Sequence, residues 1–350
     1  MTAAAPAAVT EPDLIVRREG AAGIIRLNRP KAINAMTFEM SIGIDKALDQ
    51  FETDPAVALV LLEGAGERGL CAGGDLGKRF WRQEYIMNAR IARFAKPYVA
   101  FMDGLVMGGG VGLSAHGSHR VVTEKTKLAM PEVGLGFFPD VGGTWLLSRS
   151  PGEIGSYFGL TGQTMNGPDA IYAKFADAVV PSGKLAGLRE TLVNLRVSAS
   201  AAEVKAAIDG FATGETSGPV AAQQSQIDRW FAHDRMEDIV ADLKRDGSEL
   251  AQATLKALNE KSPRGMVVAL KLLRLARQAS SLEQCLVREY RAALEVFRSD
   301  DFREGVRAAV IDKDRNPKWS PARIEDVTPE MVAPYFAEIG ADELVFDTTN

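Results

Sequence analysis

The sequence predicts an α/β fold that continues into a helical C-terminal region, and three observations predict it. Short, continuous apolar runs, residues 56–62 (AVALVLL) and 97–102, have the length and character of strands buried on both faces. Stretches of helical spacing alternate with them up to about residue 180, which argues α/β and not α+β. From Lys184 onward only helical segments appear, separated by Gly, Ser and Pro.

Residues 13–18 and 22–27 read as two strands of a hairpin around Glu19-Gly20. Asn28-Arg29-Pro30-Lys31 ends the second strand. Residues 37–53 carry Met40, Ile44, Ala47, Leu48 and Phe51 at helical spacing. The strand at 56–62 is followed by a glycine-rich loop, 64–75, and a helix, 80–94. The strand at 97–102 leads to Gly108-Gly109-Gly110 and a helix over about 110–116. Short strands follow at 120–123 and 127–130, then helices at 144–149, 154–160 and 168–174, and a brief strand at 178–180. Later helices are expected at 202–211, 221–231, 236–244, 250–258 and 264–279. Ser281 with Gln284, and Asp301 with Glu304, read as capping boxes opening two more. Residues 213–219 are the most linker-like interior segment. The division drawn is an arm over 1–12, a core over 13–200 and a helical region over 201–350. The arm lacks the basic and apolar regions of a signal peptide and is expected to be disordered.

The 350 residues are 46% hydrophobic and 25% charged, enough for a sizeable core. A net charge of -5 with no basic block argues against a nucleic-acid binder. No apolar run is long enough to span a bilayer. Two cysteines, Cys71 and Cys285, make neither a disulfide framework nor a zinc cluster, and suit a reducing cytoplasm. Of three histidines, His116 and His119 stand at i, i+3 across a helix-breaking Gly-Ser. They read as a helix end and a surface loop, so no metal site is expected.

The chemistry concentrates in residues 103–143. A helix that starts in glycines offers free N–H groups and the positive end of its dipole. Two glycine loops, one at Cys71-Ala72-Gly73-Gly74-Asp75 and one at Met107-Gly108-Gly109-Gly110, each follow a buried strand. If those strands are neighbours, two amides can converge on one oxygen, as in an oxyanion hole. Alone, each loop also reads as a tight turn. Neither matches a dinucleotide fingerprint or a P-loop. Glu132 and Asp140, each after a proline, are candidate nucleophile, base or acid. Without further support they read as a solvated loop acid and a turn or N-cap residue. Cys71 has no activating neighbour and reads as a small buried hydrophobe. Asp75 reads as a cap.

The stretches LNRPKAINAM (27–36), CAGGD (71–75), DGLVMGGGVGLS (103–114) and AMPEVGLGFFPDVGGT (129–144) together resemble the crotonase (enoyl-CoA hydratase/isomerase) superfamily. FPDVGG around Asp140, FREGVRA (302–308) and IDKDRNPKWSPA (311–322) are more similar to its 3-hydroxyisobutyryl-CoA hydrolases. The resemblance implies a crotonase-type ββα spiral, with the active site and CoA in the 13–200 core. It implies oxyanion donors at Gly74 and Gly109, catalytic carboxylates at Glu132 and Asp140, and a substrate-contacting carboxylate at Glu84. Main chain at Lys31, Ala32 and Ala72 would flank the adenine. No metal and no resident cofactor is implied, since CoA arrives with the substrate; assembly as a trimer or hexamer is.

Hydratases of this superfamily carry a glutamate where this chain has Gly112. Hydration uses paired carboxylates on water and carbon, so the substitution favours acyl transfer to water, as in valine breakdown. Glu132 would attack the carbonyl or activate a water. An enoyl-CoA hydratase or isomerase, and a non-catalytic acyl-CoA-binding protein, stand as alternatives.

Overall fold

A computed structural model describes residues 11–346. The arm expected at 1–12 lies outside the described residues except for Glu11 and Pro12. The chain opens with a hairpin, β1 (Leu14–Glu19) and β2 (Ala22–Leu27), antiparallel with Leu14 opposite Leu27. Helix α1 (Phe38–Thr53) buries Met40, Ile44, Ala47, Leu48 and Phe51, the residues whose spacing predicts it. Its N-terminus is capped twice. Thr37 accepts the Met40 N–H, and Asp75 accepts the Phe38 N–H at 3.0 Å from across the fold.

A repeated pattern follows. Strands β3 (Leu59–Gly64) and β4 (Gly69–Ala72) precede α2 (Lys78–Arg93). Strands β5 (Tyr98–Met102) and β6 (Leu105–Met107) precede α3 (Gly109–Ser114). Strands β7 (His119–Val122) and β8 (Lys127–Ala129) lead through a 3-10 turn, Glu132–Leu135, to α4 (Gly143–Leu147). Helices α5 (Ile154–Thr161) and α6 (Gly167–Tyr172) and strand β9 (Ala178–Val179) complete this part.

Each ββα unit gives one strand to each of two sheets. The larger runs β1-β2-β3-β5-β7-β9, parallel except for β1 with β2; the smaller is β4-β6-β8, all parallel. Strands β4 and β6 fall in segments that read as loop. At four and three residues they are too short for a period or an apolar run to show. They decide the site. The glycine loops follow β4 and β6, not β3 and β5 directly. Ala72 is opposite Met107, and the Gly73 N–H donates to the Met107 carbonyl at 3.1 Å.

Side chains of the larger sheet alternate between two cores. Ile24, Leu61, Val99 and Val121 pack against α7 (Leu185–Val193) and α8 (Ala201–Asp209) through Leu188, Leu192, Val204 and Ile208. Ile25, Leu62, Ala100 and Val122 join the main core with α1, α2 and α3. Cover on both faces is why these strands read as unbroken apolar runs.

The remaining α-helices are α9 (Pro219–Phe231), α10 (Met236–Asp246), α11 (Glu249–Asn259), α12 (Pro263–Arg277), α13 (Leu282–Val296), α14 (Asp300–Val306) and α15 (Pro329–Val332). Neither expected capping box forms. Ser281 accepts the Gln284 N–H, but Gln284 takes the N–H of Ser280 in place of Ser281. The Asp301 carboxylate accepts instead from the Ser262 hydroxyl and the Ser320 N–H, tying α14 to the start of α12 and to the C-terminal segment. Among the described residues no helix is long and apolar enough to cross a membrane.

Candidate active site

The two glycine loops touch. A Cβ placed on Gly109 would lie 3.5 Å from the Gly73 carbonyl oxygen. Gly108, with φ 53°, turns β6 into α3 in a conformation glycine adopts readily. Gly109 is the first residue of α3, so its N–H has no intrahelical acceptor. In the facing loop the Gly73 carbonyl accepts from Met36 and the Asp75 N–H donates to Met36. Among the described residues the Gly74 N–H has no such main-chain partner. Bulk is excluded at both amides: a Cβ on Gly74 would meet the Phe80 ring at 2.9 Å, and one on Gly109 would meet Glu84 Oε1 at 2.8 Å.

Three carboxylates close on this spot. Glu84 comes from α2, Glu132 from the 3-10 turn after β8, and Asp140 from the loop before α4. All three are buried. Glu132 Oε1 lies 3.0 Å from where a Cβ on Gly108 would be. Glu84 Oε1 and Glu132 Oε2 are fully buried without a hydrogen-bond partner. Atoms buried without a partner cost free energy, which marks this as a place shaped to receive a polar group.

Burial pushes the Glu84 carboxyl well above the carboxylate range, and the nearby charges of Asp140, Glu132 and Asp75 push it further. Burial, followed by Asp140, does the same to Glu132. Asp140 is pushed up to about 7 by burial, against the Tyr85 hydroxyl that donates to it at 2.7 Å and favours its ionised form. The three carboxyls raise one another and titrate as a unit, with Asp140 alone placed at about 7.

The Asp140 loop is pinned from three sides. Tyr85 holds the carboxylate itself. His116 Nε2–H donates to the Val141 carbonyl at 2.8 Å, and burial holds that imidazole down at about 4, so it stays neutral. Glu289 of α13 accepts from the Gly142 N–H at 2.7 Å, the Thr144 N–H at 3.1 Å and the Thr144 hydroxyl. Val141 sits at φ 52°, unusual for a β-branched residue, and these bonds hold it there.

Sequence reasoning singles out Glu84, Glu132, Asp140, Gly74 and Gly109, and the fold brings all five together. Lys31 and Ala32 lie in an exposed 3-10 turn, joined to β4 by the Ala72 N–H donating to Ile33 at 3.0 Å. Tyr85, His116 and Glu289 were missed as parts of the site. A signal for Glu289 exists: an acid on the apolar face of α13, between Leu286 and Ala293. Cys71 is buried with its thiol pushed up to about 12 by burial, as its bland surroundings imply. Among the described residues no group of three or more His, Cys, Asp and Glu could hold a metal ion.

A cavity of about 820 Å³ opens beside the glycines. Met107, two residues before Gly109, and Pro131, next to Glu132, line it together with Lys261, Arg315 and Trp319. Trp319 Nε1–H donates to the Glu260 carbonyl at 3.3 Å, which fastens the C-terminal segment over this cavity.

A family model described as enoyl-CoA hydratase/isomerase matches residues 22–336. The chain belongs to that family. It is 39% identical over 352 residues to the mitochondrial 3-hydroxyisobutyryl-CoA hydrolase of Rattus norvegicus, covering 95% of this chain and 91% of that one. The human protein of the same name is 38% identical, with the same coverage. Two solved structures share the whole architecture, including the helical C-terminal region. One is described as a carnitinyl-CoA dehydratase from Mycobacterium thermoresistibile, 43% identical with a TM-score of 0.90, covering 97% of this chain and 100% of that one. The other is described as an enoyl-CoA hydratase from Rhodobacter sphaeroides 2.4.1, 39% identical with a TM-score of 0.87, covering 96% and 100%. The fold is thus the crotonase ββα spiral. The names divide between hydrolysis and hydration, and the site's own chemistry has to choose.

Gly112 bears on that question. It lies on α3 inside the core, and a Cβ there would stand 2.8 Å from both Asn88 Nδ2 and Val141 Cβ. A side chain at this position has no room beside Asn88 and Val141. Asp140 approaches the cluster from a different direction, the loop before α4.

Proposed function

We propose that the protein is a thioester hydrolase that cleaves 3-hydroxyisobutyryl-CoA to 3-hydroxyisobutyrate and CoA. The observation that carries the reading is the pair of unpartnered, buried carboxylate oxygens on Glu84 and Glu132 beside two free glycine amides. The names of the relatives supply the substrate. The thioester carbonyl oxygen lies between the N–H groups of Gly74 and Gly109, where charge develops as the carbonyl carbon becomes tetrahedral. Such a donor is worth about 3 kcal/mol in the transition state. Glu132 attacks that carbon, forming a mixed anhydride that water then opens, or takes a proton from the attacking water. CoA leaves as the thiolate, and Asp140, held by Tyr85, orients water and takes a proton from it. The CoA arm leaves through the cavity beside Met107. Main chain at Lys31, Ala32 and Ala72 contacts the adenine. No metal or resident cofactor takes part. Assembly as a trimer or hexamer and a cytoplasmic location belong to the same reading, the former from the family resemblance and the latter from the cysteine usage.

Free-thiol release across a panel of short acyl-CoA thioesters tests the activity, with crotonyl-CoA as the control for hydration. Rapid release from 3-hydroxyisobutyryl-CoA and no loss of enoyl absorbance is expected. The reverse pattern would make the protein a hydratase, and binding without turnover a carrier.

The pH profile adds a sharper test. Wild-type kcat/KM should rise with pH through neutrality, as Asp140 gives up its proton. The charge on Asp140 raises the pKa of Glu132. Asp140→Asn should therefore lower the rate and also move the acid limb to lower pH. A limb that stays in place would separate Glu132 from Asp140.

A further inference from the structure

A second side chain on α2 has no partner. Asn88 is 0% exposed, and neither Nδ2 nor Oδ1 makes a hydrogen bond. A buried amide with both ends unsatisfied is rare and calls for an explanation. Its place suggests one. Glu84 and Asn88 are four residues apart on α2, so they stack on one face of the helix. Each meets a glycine of α3: Glu84 Oε1 is 2.8 Å from the Cβ position of Gly109, and Asn88 Nδ2 is 2.8 Å from that of Gly112. The two contacts form successive rungs between the helices. Gly109 and Gly112 are separated by a rise of about 4.5 Å along α3.

The lower rung is where the thioester carbonyl would dock. An acyl group held there reaches toward the next rung with its third carbon, the one that carries the hydroxyl. We infer that Asn88 is a specificity-determining residue that, together with Glu84, recognises a hydroxyl on the third carbon of the acyl group. Nδ2–H donates to the hydroxyl oxygen, and the hydroxyl donates to Glu84 Oε1. Two orphaned polar groups are thereby satisfied by one ligand atom. An acyl group without the hydroxyl leaves both unpaired, and sites of this kind reject such analogues strongly. The inference rests on the thioesterase reading and goes beyond it, since it assigns the discrimination to a residue outside the catalytic pair.

The test compares 3-hydroxyisobutyryl-CoA with isobutyryl-CoA, which differ only in the hydroxyl, in the wild type and in Asn88→Leu. Leucine has nearly the shape of asparagine and no polar atom. It removes two unsatisfied groups and should fold with a Tm no lower than the wild type. The ratio of kcat/KM for the two substrates should fall at least tenfold in the variant, with most of the loss on the hydroxylated substrate. A ratio that does not change, or an equal loss on both substrates in a folded variant, overturns the assignment to Asn88. If the wild type releases thiol from neither substrate, it is the thioesterase reading that fails. A purely structural role for Asn88 would lower stability and both rates without moving the ratio.

Discussion

Glu132→Gln is expected to lower kcat for thioester hydrolysis by roughly a thousandfold or more while leaving acyl-CoA affinity within a few-fold of the wild type. The amide is isosteric, so the turn after β8 and its contact with Gly108 persist. What is lost is the ability to attack carbon or take a proton, and either loss acts on the transition state alone. The same substitution should stabilise the empty protein at high pH. The Glu132 carboxyl is held well above its ordinary range, chiefly by burial. Its folded pKa therefore exceeds its unfolded pKa, and the folded state binds more protons between them. The stability contributed by the protonated form is complete below pH ~4 and declines as pH rises toward the folded pKa. Glutamine does not ionise, so the variant escapes that decline. Its Tm should exceed the wild-type Tm at pH 8, and the difference should shrink toward pH 5. Loss of activity with gain of stability marks a residue kept for chemistry. A folded variant with a near-normal rate would remove Glu132 from the mechanism.

The chain displays some parts of this site and conceals others, for physical reasons. The apolar runs before Leu62 and Met102 show plainly because both faces of the large sheet are covered. Helix α1 shows because its buried residues repeat at one period. The strands β4 and β6, which bring the two glycine amides together, do not show. Gly69–Ala72 and Leu105–Met107 are too short to carry a pattern, and each exists because its neighbours in the small sheet exist. Asp75 was legible as a cap, but the helix it caps starts 37 residues earlier. Glu132 and Asp140 were legible only through their motifs. The Glu132 turn is covered by α5, α12 and α14, and Asp140 is held by Tyr85 of α2, so nothing local to either residue announces its burial. Glu289 had a local sign, an acid in an apolar row, yet its partners at Gly142 and Thr144 lie about 145 residues away.

Gly112→Glu, which would supply the carboxylate that hydratases carry at this place, should produce no hydratase and a severely destabilised protein. Even Gly112→Ala is informative. Its Cβ would stand 2.8 Å from Val141 Cβ, and Val141 cannot yield easily. It is β-branched, sits at φ 52°, and is held by His116 through its carbonyl and by Glu289 through the next residue. Overpacking of a fixed site typically costs about 1–3 kcal/mol, and the larger glutamate adds an unpaired buried carboxyl to that. The strain is passed along the chain to Asp140, the residue before Val141. A displacement of about 1 Å at a catalytic group can cost roughly a hundredfold in rate. Gly112→Ala should therefore lose about 1–3 kcal/mol of stability by denaturant titration and at least tenfold in kcat, with KM changed much less. Should the alanine variant keep its stability and its rate, α3 and the Asp140 loop are not the close-packed pair the structure shows. A glutamate variant that stayed folded and hydrated crotonyl-CoA would mean that the step between the two chemistries is one side chain, not the packing around it.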